Sequence, residues 1–213
     1  MTAATDNKKL RTMFWRMAGG AVVGAAMSAL FLILLKPQLS ADDPATTIAI
    51  VAGISYALIG LSVAIGLVAP KAGSRFLNVE DADELREERP KLRTGALVCV
   101  LIGAFLLILA LGGDDGRMSR EVALWTAAAC LGGIVIVTLL SAKNTDELTR
   151  QITLEASAAT LHIALVGLAV WAMLAELGYA PWLSPLGLIA GFAMLELVAI
   201  FVVSASKGLM TPR

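Results

Sequence analysis

The stretch TDELTRQITLEASAATLHIALVGLAVWAMLAELGY, Thr145 to Tyr179, opens with charged residues and runs into an apolar segment that carries the only histidine of the chain. Such a segment is long enough to cross the hydrocarbon core of a bilayer, which takes about 20 residues of helix. Within it Glu155, His162 and Glu176 stand seven and then fourteen residues apart. At 3.6 residues per turn that spacing keeps the three on one face, inside a sector of roughly 60°. The reading is a membrane span with a titratable face.

Composition points the same way for the rest of the chain. Hydrophobic residues make up 58% and charged residues 16% of the 213, a balance displaced from that of soluble domains toward membrane proteins. A formal net charge of zero removes the bulk electrostatic attraction on which nucleic-acid binding rests. Long apolar runs with short polar connections occupy nearly all of residues 1–213, so a single domain is expected, with the lipid bilayer as its first partner. Cys99 and Cys130 fall in apolar runs at depths about 10 Å apart, and are expected as free, inert thiols.

Taken in order, the apolar runs predict an all-α membrane protein, six transmembrane helices in one bundle. The spans are expected at about 17–35, 47–68, 94–111, 122–142, 152–176 and 183–204. Small residues recur at four-residue spacing in several of them: Gly20, Gly24 and Ser28 in the first; Ala49, Gly53 and Ala57 in the second, beside a further stripe of Tyr56, Gly60 and Ala64; Gly187 and Gly191 in the last. Stripes of this kind let two helix backbones approach closely where lipid supplies no hydrophobic drive. The connection between the second and third spans, residues 71–93, interleaves acidic and basic residues; DADELREER within it predicts a short surface helix ended by Pro90. Asp114 and Asp115 are read as a plain turn.

Orientation follows from lysine and arginine. Of the seventeen, only Lys36, Arg117 and Arg120 fall on the side opposite the N-terminus in the six-span arrangement. The positive-inside rule then places both termini in the cytoplasm. Asp83-Glu84-Leu85 and Asp146-Glu147-Leu148 precede the third and fifth spans at similar distances, which suggests that the hairpin of spans two and three is repeated by spans four and five.

Glu196 lies near the middle of the last span. A carboxylate there costs roughly 2.5 to 3.5 kcal/mol on insertion scales, so it must be protonated or face a partner inside the bundle. His162 in the neighbouring span lies within about two turns of its depth, and a His162–Glu196 intramembrane pair, turned away from lipid, is expected. Catalysis is not expected: one histidine forbids a His-x-x-x-His metal site, two cysteines at unequal depth make no zinc site, and neither a Gly-x-Ser-x-Gly elbow nor a phosphate-binding glycine loop occurs. No cofactor and no metal are therefore expected.

The segment Asp146-Glu147-Leu148-x-Arg150-x-Ile152-x-x-Glu155-Ala156 resembles the D-E-x-x-R-x-I-x-x-E-A pattern of uncharacterised small bacterial multi-span membrane proteins. The resemblance implies a bacterial inner-membrane location and no particular activity. Physically, Asp146 and Glu147 favour a helix start, while Arg150 and Glu155 reach headgroups or a neighbouring charged loop. The expected function is non-enzymatic: binding or regulating a cytosolic protein partner through the loops 71–93 and 143–150. The alternative is a small proton- or ion-coupled transporter or permease acting as a homodimer.

Overall fold

The computed structural model describes Ala29, Ile33 and residues 43–68, 88–112, 118–142 and 145–208. Its elements are α1 (Pro44–Val68), α2 (Arg89–Leu111), α3 (Arg120–Ser141), α4 (Glu147–Glu176) and α5 (Pro185–Ser206). All five are long and apolar enough to cross a membrane. Among the described residues the count is thus five, not the six expected. The expected first span, 17–35, with its Gly20, Gly24 and Ser28 stripe, lies outside them apart from Ala29 and Ile33, both helical.

Local chemistry sets the helix ends. Asp43 accepts hydrogen bonds from the backbone N–H of Ala45 at 3.1 Å and of Thr46 at 3.3 Å, and from the Thr46 hydroxyl at 2.9 Å. These satisfy donors left over at a helix start, and Pro44, which has no N–H to leave unsatisfied, begins the helix. The same bonds, that from Ala45 foremost, hold the Asp43 carboxyl below its usual range. Pro90 sits in the first turn of α2 and so opens a helix; residues 81–87, where a preceding surface helix was expected, lie outside the described residues. Ser184 caps α5 by accepting from Gly187 N–H at 3.1 Å. Gly178, at φ +79°, closes α4: its N–H bonds Ala175 O at 3.1 Å and that of Tyr179 bonds Leu174 O at 2.8 Å. This is the paired closure that a left-handed residue permits.

The helices pack in the spatial order α3, α2, α1, α5, α4. Central α1 is the most buried span, and the core gathers around its Ile50, Ala52 and Tyr56 with Leu106 of α2 and Ala190 of α5. Gly53 and Gly60 lie on the α1–α2 contact: a Cβ on Gly60 would stand 2.6 Å from Ala96 O, and one on Gly103, across the same contact, 2.6 Å from Gly53 O. Gly187 meets Ala45 of α1, whereas Gly191 has open space about it. Its place in a packing stripe is therefore not realised among the described residues. The suggested repeat fares similarly, because α1 and α2 form a packed hairpin while α3 and α4 each pack on a different neighbour. Cys99 and Cys130 are free and half-buried. Many apolar side chains point outward, Trp125 (73% exposed) and Val166 (67%) among them, as befits helices whose solvent is lipid.

Candidate functional site

Two polar layers mark the molecule, one at the end where α2 and α4 begin and one in the middle of the α4–α5 contact. At the first, Asp146 caps α4 by accepting from Thr149 N–H at 3.4 Å. Its Oδ1 lies 3.2 Å from Lys91 Nζ, and Lys91 also reaches Glu88 at 3.2 Å. The hydrogen bonding at Thr149, then that with Lys91, holds the Asp146 carboxyl below its usual range. Glu88 first and Asp146 second raise the Lys91 ammonium in turn. Arg150 pairs with Glu147 at 3.7 Å within the first turn.

Just inside this layer Glu155 of α4 accepts from Lys207, beyond the end of α5, at 2.8 Å. The starts of α2 and α4 and the end of α5 therefore share one end of the bundle. Of the six described lysines and arginines, Arg89, Lys91, Arg93, Arg150 and Lys207 are at this end and Arg120 is at the other.

In the middle of the α4–α5 contact Ser157 donates its hydroxyl to Glu196 Oε1 at 2.8 Å. This bond stands where His162 was expected. His162 instead has Nδ1 2.7 Å from Ala158 O, one turn back in its own helix; a carbonyl only accepts, so Nδ1 carries the proton of that bond. The side chain is exposed, and no hydrogen bond or ion pair joins it to Glu196. The reason is rotation, which matching by depth alone ignores. Five residues separate Ser157 from His162, so at about 100° per residue the two point roughly 140° apart, and only Ser157 faces the groove with α5.

The titratable face of α4 thus divides three ways: Glu155 in an ion pair, His162 on its own backbone, and Glu176 exposed near the far end. What packs is another stripe, Ile152, Ala156, Thr160 and Ala164, all buried. Its signal in the sequence is the four-residue spacing of the small residues Ala156, Thr160 and Ala164. Thr160, only 5% exposed, has a hydroxyl with no hydrogen-bond partner. Tyr56 of α1 bonds Ala193 O of α5 at 2.8 Å. Toward the far end Trp171 Nε1 donates to Pro181 O at 3.0 Å beside a cleft lined by Leu168, Trp182 and Leu188. Among the described residues no cluster of histidine, cysteine or acidic groups could hold a metal ion.

Fold and site together define a multi-pass helical membrane protein with one charged end and a polar contact midway between two helices. Comparison with family models, with curated proteins and with solved structures gives no match.

Proposed function

We propose that this is a non-enzymatic bacterial inner-membrane protein that binds a cytosolic protein partner at the end where α2 and α4 begin. The Lys91–Asp146 ion pair carries the reading, because it brings together residues of the loops 71–93 and 143–150 that are distant in sequence; residues 71–87, 143 and 144 lie outside the described residues. Exposed Arg89, Arg93, Arg150 and Glu147 flank the pair. Their mixed charge suits a partner of complementary pattern, since such surfaces set specificity and encounter rate. The excess of basic residues among those described at this end supports a cytoplasmic location for it under the positive-inside rule.

A photo-crosslinking residue placed at Arg93 or at Arg150 in the full-length protein in its membrane tests this. Both positions are expected to capture the same soluble protein, and a control at Trp182 none. Lys91→Asp is expected to weaken capture and the swap Lys91→Asp with Asp146→Lys to restore it. Different products at 93 and 150, or the same product at 182, would overturn the reading.

A second reading, a small proton- or ion-coupled transporter acting as a homo-oligomer, is favoured by the Ser157–Glu196 bond, a polar contact at mid-span. Flux into proteoliposomes driven by a pH gradient and lost in Glu196→Gln would establish it. Flux unaffected by that variant would sink it.

A further inference from the structure

The small stripe of α4 is buried more widely than α5 accounts for. Going round the helix from Ser157, which bonds across to α5, Leu161 stands about 40° and Leu154 about 60° to one side; they are 52% and 60% exposed. To the other side Ala156 stands about 100° and Ile152 about 140° away, yet these are 0% and 8% exposed. A single helix packed at Ser157 would bury the nearer residues and leave the farther ones open. α4 is therefore covered on two sides. Among the described elements α5 is the one with which it shares an extended contact, and the burial arises within one chain.

Thr160, in the middle of the stripe, supplies an independent observation. Ser55, Thr94, Thr126, Ser141 and Thr153 all turn their hydroxyls back to the carbonyl four residues earlier in the chain, the usual resting place of a helical hydroxyl in an apolar setting. Thr160 departs from that habit: 5% exposed, it has a hydroxyl with no partner. Buried polar groups are as a rule hydrogen-bonded, so this hydroxyl marks a contact that the described residues do not complete.

Of the runs outside the described residues, 69–87 carries charge along its length and 113–117, 143–144 and 209–213 are shorter than the stripe, whereas 17–35 is apolar and long enough to cover it. Its two described residues, Ala29 and Ile33, are helical and exposed. On one helix they stand about 160° round from the centre of Gly20, Gly24 and Ser28, so the small residues belong to the side away from that exposure. α2 begins at the charged end and α1 packs beside it as a hairpin, so Pro44 is at the far end, where Ala45 meets Gly187 at the start of α5. A span that leads into Pro44 therefore starts at the charged end, as α4 does. Counted from the expected starts at 17 and 152, Gly20, Gly24 and Ser28 fall one residue short of the levels of Ala156, Thr160 and Ala164, a difference of about 1.5 Å.

We propose that the span expected at 17–35 packs parallel to α4, with Gly20, Gly24 and Ser28 against Ala156, Thr160 and Ala164. Both faces repeat small residues every four positions, the pattern that lets two backbones approach in lipid. Gly24, without a side chain, leaves a backbone carbonyl open to the Thr160 hydroxyl. The contact depends neither on a cytosolic partner nor on a transported substrate.

Disulfide crosslinking of the full-length protein in its membrane tests it, in a background of Cys99→Ser and Cys130→Ser. Ser28→Cys with Ala164→Cys, and Gly20→Cys with Ala156→Cys, are each expected to link within one chain on mild oxidation, with the joined peptides identified by mass spectrometry. Ile33→Cys with Ala164→Cys is expected to give no link. Mixing with a chain of altered mass tells a link within one chain from a link between two. Cysteine is close to serine and alanine in size, and melting of each double variant against the background in micelles separates loss of the link from loss of fold. Added to the pair at 28 and 164, Thr160→Val is expected to lower the yield several-fold and Thr160→Ser to keep it. No link at either level in folded protein, or an equal yield from Ile33→Cys, would overturn the docking; links formed only between chains would overturn it too, by putting a second copy on the stripe. An unchanged yield in Thr160→Val would remove the hydroxyl from the contact.

Discussion

The α1–α2 and α4–α5 contacts solve one problem in two ways. Between α1 and α2 the backbones themselves meet, with Gly53, Gly60 and Gly103 leaving no room for a Cβ. Between α4 and α5 the contact is pinned by side chains at three levels, Glu155–Lys207, Ser157–Glu196 and Trp171–Pro181 in the connection between them, around the small stripe Ala156, Thr160, Ala164. Lipid is as apolar as leucine, so helices associate in it through close packing or through hydrogen bonds. Close packing tolerates no added atom and fixes a hairpin. Spaced polar bonds leave room along their length, which is where chemistry can be placed.

The comparison breaks most sharply at Gly60. Gly60→Val would drive a side chain into Ala96 O, with Val100 only 2.7 Å from the new Cβ; backbone cannot move aside as a side-chain tip can. Overpacking of this kind costs about 1 to 3 kcal/mol. Gly191→Val meets open space and is expected to unfold like the parent. Unfolding of both variants in detergent micelles measures the contrast, and equal losses would show that α1–α2 is not the tighter contact.

Next comes Tyr56, whose hydroxyl holds Ala193 O and so ties the packed hairpin to the polar half. Tyr56→Phe keeps the ring in the core and removes one buried bond, an expected loss of about 1 kcal/mol in the same unfolding measurement. A larger loss would mean that the ring shifts as well.

How far the fold can be read from sequence differs between these regions. The helices observed begin and end within about five residues of the expected spans, because bilayer thickness, Pro44 and Pro90, and the caps at Asp43, Asp146 and Ser184 act locally. The glycines of α1 were visible as a stripe for the same reason. Gly103, their counterpart on α2, lacks a small neighbour four residues on either side, Cys99 and Leu107, and is defined only by the helix it faces. Glu196 was recognisable as a carboxyl in need of a partner. The identity of that partner was not, since it depends on how two helices are rotated about their axes. Depth follows from counting residues, but rotation follows from packing, and the Ala156–Thr160–Ala164 stripe turns Ser157 into the groove and His162 out of it.

The polar contact is expected to yield less on disruption than the glycine contact. Interhelical hydrogen bonds in membranes are worth about 0.6 kcal/mol on average, because the separated helices find other partners. Ser157→Ala and Glu196→Gln, alone and combined, form a double-mutant cycle in which a coupling near that value is expected. Coupling of zero would mean that the bond contributes nothing to association, and coupling above the cost of Gly60→Val would reverse the ranking of the two contacts.

The smallest effect belongs to Lys91–Asp146, which links the start of α2 to the start of α4 and so fastens one region to the other at the water-facing end. Asp146 is held below its usual 3.8, first by the bonding at Thr149 and then by Lys91; its contribution is present above the unfolded value and is lost as pH falls through the lowered one. Lys91 is held above its usual 10.5, first by Glu88 and then by Asp146; its contribution is complete below the unfolded value and is lost as pH rises through the raised one. The pair is therefore intact across the whole neutral range. The stability difference between the parent and Asp146→Asn is expected to be flat from about pH 5 to 9 and to shrink in acid below the usual carboxylate range. Both side chains face water, so added salt is expected to reduce the difference as well. Melting curves of parent and variant in micelles across pH test the window. A difference that vanishes near pH 7 would show that another titrating group governs this end of the bundle, and would part the two surfaces that the ion pair joins.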